Sequence, residues 1–530
     1  MRLRPLARRS ISSKLAVSFE ALMSLKMSKF GARMTRTGPW LAVGLALGGC
    51  TVGPHFQTPA PPQASGYTAT PLPARTAASP GPDGGAQRFV EGADIQGQWW
   101  TLFQSPALDA LVAQALKANP DAEAALAALR ASQELAAADR GALLPSADLG
   151  YSLSRQKTSA LLASPLASNV ETFTLHTAQV TVGYVPDVFG GLHRQAETSA
   201  AQAEAQRFQA EATYLTLTAN LVAAAIQQAS LADQVAATRA LIADNQRALD
   251  VVRRQFQLGE TSRADVAAQE TLVAQAQQTL PPLEKALAQQ GDLIADLTGR
   301  IPSQAPAEPI ALGSLALPAE LPVSLPSRLA QQRPDVRAAE ANLHAASAQV
   351  GVAMAARLPT FPITAALGGQ SPTLTTLLAN GNTFWAVTGA VAQPVFRGGA
   401  LLHRQRAAEA TLDQAKAQYR STVLTAFQNV ADALRAIEID ARALQAAAAT
   451  QKSAADSLAV ARQQFTAGQA SVLPMLTAQQ AEQQAQLAVI QARAARLADT
   501  AALFQSLGGG WWNRTDIPGP QASATSLGRE

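Results

Sequence analysis

The chain has 530 residues, enough for a large core, with 48% hydrophobic residues and a formal charge of +4. A single cysteine, Cys50, excludes an intrachain disulfide, a Cys-x-x-Cys redox pair and a thiolate metal cluster, each of which needs at least two sulfurs. The positive charge belongs to the first 49 residues, which hold nine Arg or Lys and one Glu. From Cys50 onward there are 33 basic and 37 acidic residues, a net −4, so the basic balance is no argument for nucleic-acid binding.

Residues 1–49 read as a leader. A basic stretch precedes a run of about ten apolar or small residues ending at 49, "LAVGLALGG", which is too short to cross a roughly 30 Å hydrocarbon layer as a helix. The leader is long for an export signal, and Met34 offers a second start. "LALGGC" resembles the bacterial lipobox, which implies lipidation of Cys50: a covalent diacylglycerol and an N-acyl chain, with no other cofactor expected. Two or more acyl chains anchor durably where one does not. Residues 50–98, rich in Pro, Gly, Ala, Ser and Thr, predict an extended, poorly ordered tether, with ordered packing starting at Trp99, Trp100 and Phe103.

From there the sequence repeats. Pro120-Asp121 recurs as Pro334-Asp335, Leu129 as Leu343 and Pro145 as Pro359, all at an offset of 214, while Gly259 and Gly468 lie 209 apart. Two copies result, 99–298 and 324–507, joined by a proline-rich linker 299–323 and ending in a tail 508–530. Each copy opens with a helical run ended by proline and continues into two strand-like segments. Within 171–185 the apolar alternation slips near Ala178, which predicts a bulge or the rim of a membrane-embedded sheet. A proline-free helical run comes next, roughly 192–256 and 402–465. Sevenfold spacing supplies Tyr214, Leu221, Gln228, Val235, Ile242, Leu249 and Phe256, then Val423, Val430, Ile437, Leu444, Gln451, Leu458 and Phe465. Such a stripe predicts coiled-coil packing of rods about 100 Å long. Gly259 and Gly468 are placed to turn the chain into returning helices over 262–298 and 471–505. Four strands cannot close a barrel, and open strand edges in lipid are costly, so an oligomer is expected.

The five histidines form no His-x-x-x-His or His-x-x-His pair, so no metal site is expected; His193 and His403 fall at equivalent places and are expected to shape the strand-to-helix junction. No nucleophile elbow or phosphate loop is visible, and no enzymatic activity is expected.

The stretches "GCTVGPHFQTPAPP", "NPDAEAALAALR", "RPDVRAAEANLHAASAQVGVAMAARLPTFPITAALG", "PVFRGG" and "ARQQFTAGQASVLPMLTAQQ" together resemble the outer membrane factors of tripartite efflux pumps, in their NodT-like lipoprotein branch. The resemblance implies an α+β membrane protein: a homotrimer whose 12-stranded β-barrel continues into a long periplasmic α-helical barrel. It implies docking to a periplasmic adaptor protein and an inner-membrane transporter of the resistance-nodulation-division type, and passive conduction across the outer membrane. A periplasmic gate is implied near Leu473, Leu476, Thr477, Gln480 and Asp265. Where relatives often carry an Asp and an Arg, Thr477 and Gln480 stand here, so closure is expected to rest on Leu473 and Leu476 more than on charge. A lipidated coiled-coil scaffold or adaptor and a secretion conduit are the alternatives; the strand hairpins favour a channel over the scaffold.

Overall fold

The computed structural model describes residues 51–530 except 61, 63, 65, 160, 162–169, 306–307 and 515–530. The leader, Cys50 and most of the tail lie outside the described residues. From Val52 onward the chain forms a single unit.

The first strand, β1 (Arg88–Glu91), precedes a 3-10 turn at Trp99–Phe103. Helix α1 (Pro106–Ala118) starts at a proline that fits its first turn, with the Ser105 hydroxyl accepting from Leu108 N–H. Asn119 ends α1 and opens α2 (Pro120–Gly141): its Oδ1 accepts from Asp121 and Ala122 N–H, while its Nδ2 donates to the Leu297 carbonyl. Strands β2 (Ser146–Lys157) and β3 (Thr172–Tyr184) follow, then α3 (Gly191–Gln257) and α4 (Arg263–Leu297). Strand β4 (Glu320–Val323) pairs in parallel with β1. The element order then recurs: α5 (Pro326–Gln332), α6 (Pro334–Ala355), β5 (Ile363–Ser371), β6 (Thr383–Gly389), α7 (Ala400–Thr466) and α8 (Val472–Ser506).

Helices α3 and α7 each have 67 residues, about 100 Å at 1.5 Å per residue. Their buried stripe follows the sevenfold line: Leu221, Gln228, Val235 and Leu249 are buried on α3, and Val423, Val430, Ile437, Leu444 and Leu458 on α7. The 18-residue apolar stretch of α3 that would pass for a membrane span is mostly buried against other helices. Pro281 and Pro282 lie inside α4 and remove two backbone donors from its ladder, yet the helix continues.

The main core gathers Trp99, Phe103, Leu108, Leu221, Ile226, Leu321, Ile437, Leu497 and Phe504, with Trp99 stacked on Phe504 at 5.5 Å between ring centres. Burying each such side chain stabilises by about 1.5–3 kcal/mol. The expectation that ordered packing starts at Trp99 is corrected here. The segment before it is extended but docked: Arg496, with no exposed surface, donates to Thr76 Oγ1 (3.0 Å), the Asp83 carbonyl (2.8 Å) and the Gly85 carbonyl (2.8 Å). Arg493 adds an ion pair with Asp83 at 2.8 Å. Charge-assisted bonds hold this stretch where its composition offers little apolar surface.

The four longer strands form one antiparallel sheet in the order β2-β3-β5-β6. Its register is unbroken, with Ser146 opposite Gly183 through to Lys157 opposite Thr172, and His176 opposite Ser371 through to Tyr184 opposite Ile363. The bulge expected near Ala178 is therefore absent. The alternation slips because Phe173 and Leu175 share the face of Thr177 and Thr181, whereas Val180, Val182 and Tyr184 take the opposite face.

Candidate conduit: a two-faced sheet and two helical tips

Strand alternation sorts the sheet into two unlike faces. On one, Leu149, Val180, Leu367 and Trp385 stand directly opposite one another across all four strands. They are 81%, 42%, 64% and 77% exposed. Ala147, Val182, Ala365 and Val387 form the next row toward the helices, ahead of Tyr184 and Ile363. On the far side come Tyr151, then Leu153 and His176, with the Tyr151 hydroxyl 2.7 Å from His176 Nδ1. The opposite face carries Ser146, Asp148, Ser152, Thr177, Thr181, Thr364, Gln370 and Thr388. A predominantly apolar face of this extent in contact with solvent is abnormal for a soluble monomer. Among the described residues, the outer edges, β2 and β6, each lack a partner on one side.

Five rows on the apolar face, from Tyr184 to His176, span nine residues of β3, or eight residue steps. At ~3.4 Å per residue that is about 27 Å along the strand. With the usual 35–45° tilt the height is about 20 Å, close to the roughly 25 Å apolar band of outer-membrane barrels.

Where the sheet gives way to helices, the start of the described unit is pinned. Val52 N–H donates to the Phe189 carbonyl (3.1 Å), and Arg194 Nε donates to the Val52 carbonyl (3.1 Å). Gly53, at φ +98, is so close to α6 that a Cβ there would come within 2.5 Å of Gly351 Cα. Arg194 also bonds Glu197 at 2.7 Å, and His344 Nε2 reaches the other Glu197 oxygen at 2.8 Å, with Phe56 stacked on the imidazole. Burial acts to raise the Glu197 pKa, but hydrogen bonds from His344 and Arg194 outweigh it and hold the carboxyl below its usual value. The two equivalent histidines differ. His193 binds Asp187 at 2.6 Å, whereas His403 lies over Gly399.

The hairpins at the far ends of α3 and α7 are built alike. Gly259 and Gly468 adopt φ +78 and +67, and the next N–H groups along the chain, of Glu260 and Gln469, reach back to Gln255 and Gln464, each at 2.8 Å. Both are Schellman turns, which need a left-handed residue where only glycine is free of strain. Asp265 closes a capping box: its Oδ2 accepts from Ser262 N–H (3.0 Å), Ser262 Oγ (2.7 Å) and Thr261 Oγ1 (2.8 Å). Those bonds, led by Ser262, lower its pKa. Leu473 and Leu476, three residues apart on α8, differ in burial. Leu476 is buried with Val252, Leu458, Val472 and Met475, whereas Leu473 is 63% exposed. Thr477 Oγ1 donates to the Leu473 carbonyl at 3.1 Å, and Gln480 lines an open concavity with Gln275, Gln483 and Gln484.

Arg194, Glu197, His344 and Arg496 were not singled out by sequence reasoning. The one available signal was positional: Arg496 occupies an otherwise apolar helix position, where an unpaired cation would be prohibitive. Among the described residues no cluster of His, Cys, Asp and Glu is arranged to hold a metal ion.

Known proteins share this architecture. The outer-membrane channel OprN superimposes with a TM-score of 0.77 at 25% identity, over 87% of this chain and all of that one. VceC from Vibrio cholerae gives 0.73 at 23% identity, over 79% of this chain and all of that one. In sequence, the toluene efflux pump outer membrane protein TtgC of Pseudomonas putida is 31% identical over 507 residues, covering 92% of this chain and 99% of its own. The pyoverdine export outer membrane protein OpmQ of the same species is 30% identical, over 78% and 88% respectively. The profile of the outer membrane efflux protein family matches twice, at residues 111–300 and 325–509, and the chain belongs to that family.

Proposed function

We propose that three copies of the chain form one continuous, passive conduit through which substrates leave an inner-membrane transporter, cross the periplasm and exit the cell. An outer-membrane location and a part in efflux come with the family. The finer reading rests on one observation, the open-edged sheet with an apolar face turned to solvent. Unpaired strand edges in hydrocarbon cost several kcal/mol per group. Neighbouring strands in the sheet run in opposite directions, so β6 of one copy meets β2 of the next antiparallel. Three copies then close twelve strands without a parity clash, polar face inward. Helices α3, α4, α7 and α8 prolong the bore below the membrane.

In this reading the recurring element order records an internal duplication, with copies at 99–298 and 324–507. Residues 1–49 are removed, and Cys50 carries the acyl chains. Val52, two residues after Cys50 in the sequence, is itself held at the sheet-to-helix junction, which supports that anchor. The hairpin tips around Gly259 and Gly468 form the periplasmic entrance, where an adaptor and a resistance-nodulation-division transporter dock, and Leu473 narrows it. The chain transports without catalysis, the pump supplying the free energy. Relatives named for toluene and pyoverdine differ in cargo, which supports a substrate choice made by the pump rather than the conduit.

Mass measurement of the detergent-extracted protein, followed by planar-bilayer recording, tests the proposal. A trimer that conducts ions is expected; a monomer that passes no current refutes it.

A further inference from the structure

The two strand-to-helix junctions share a motif but not an environment. After β3 come Val188-Phe189-Gly190-Gly191, and after β6 come Val395-Phe396-Arg397-Gly398-Gly399. Gly190 and Gly399 both cap their helices with positive φ, +75 and +82, but Phe189 directly precedes its cap, whereas Arg397 and Gly398, the latter at φ +57, separate Phe396 from its own. Phe189 packs on Phe361, 6.4 Å between ring centres, and Phe361 lies in the stretch that leads into β5, the strand paired with β3. Val395 and Phe396 are 92% and 86% exposed. Two adjacent large apolar side chains bared at the mouth of a sheet imply an absent partner.

We propose that Phe396 is an anchor between protomers, seated on the Leu144–Pro145 corner of a second copy. The inference rests on the closed-barrel reading and adds to it a specific contact. In one chain β3 descends to its junction beside the rising strand β5. At closure, β6 descends beside the rising β2 of the next copy. Residues just after β6 therefore arrive beside residues just before β2, as those after β3 lie beside those before β5. The internal repeat names the receiving site: Leu358-Pro359, two residues before Phe361, correspond to Leu144-Pro145, and Ala147 stands where Phe361 stands. The small side chain leaves room for an incoming ring. Leu144, itself 70% exposed, and Pro145 wall an open concavity of about 470 Å³ together with Tyr184, Val185 and Leu192. A ring placed there covers Leu144 and Phe396 at once, removing from water apolar surface that one copy cannot bury alone.

Because Cys50 is the only native cysteine, introduced thiol pairs report cleanly. The full-length chain carrying Phe396→Cys and Leu144→Cys is treated in outer membranes with a short bis-maleimide. Covalent dimers and trimers on a denaturing gel are expected from the double variant and from neither single one. A linkage within one chain would leave the mass unchanged and count against the proposal. If the protein is a trimer by mass in mild detergent but no cross-link forms, Phe396 faces lipid instead: the anchor is overturned while the barrel stands. A monomer overturns both. Phe396→Ser supplies a second readout, because the side chain is 86% exposed within its own protomer. The temperature at which the trimer dissociates should fall with the circular dichroism unchanged, and an unshifted dissociation temperature refutes the anchor.

Discussion

Replacing Val180 by arginine separates a lipid-facing sheet from a merely exposed one. Val180 sits in the middle of the five apolar rows, flanked by Leu149 and Leu367, and two rows from either end. Two rows are four residues, about 14 Å along the strand and roughly 10 Å in height after tilt, which puts it near the bilayer midplane. Arginine on the lipid face at that depth costs about 2–4 kcal/mol. That is roughly a 30- to 700-fold loss in the ratio of folded to unfolded protein. Were the face in water, a side chain already 42% exposed would change stability by about 0.5 kcal/mol or less. Thr181→Arg is the control: it is adjacent, at nearly the same depth, and on the polar face. Urea unfolding of the protein folded into phospholipid vesicles reads both. A midpoint shift confined to Val180→Arg is expected. Equal shifts, or none, would refute the assignment of faces and with it the barrel's orientation.

The two leucines at the tip of α8 should part company. Leu476→Ala opens a cavity in the packed tip and should destabilise it by about 2 kcal/mol or more, seen as faster amide exchange over 472–480. Leu473→Ala should leave exchange unchanged and raise single-channel conductance; unaltered conductance would remove Leu473 from the gate. A pH dependence should trace to Asp440, whose pKa is pushed up to about 7 by burial and by the Asp499 carboxyl beside it, against the pull of Arg496. The folded chain then keeps a proton that the unfolded chain releases near pH 4. The stability from this group is complete below that pH and is lost as pH rises toward 7. Asp440→Asn should flatten thermal stability between pH 4 and 7, and an unchanged slope would refute the assignment.

Much of the chain could be read from local pattern. The sevenfold stripe led by Leu221 and Val430 marks the buried side of the rods, because helical periodicity is a property of spacing alone. Gly259 and Gly468 mark the turns, because a Schellman turn needs a residue at ease with positive φ. Pattern failed where the deciding partner is remote. The segment before Trp99 looks like loose tether until Arg496, 420 residues from Thr76, binds it. Leu473 and Leu476 look like one apolar plug until α7 and the tip of α3 bury the second alone. Alternation showed that β3 has two faces, but the slip at Ala178 disguised which residues share them, and only the pairing with β2 and β5 settled that Val180 belongs with Leu149 and Leu367. Periodicity is written within a few turns or strand residues of each position, whereas the facing of a strand, the docking of a tether and the burial of a leucine depend on what the folded chain brings from far away.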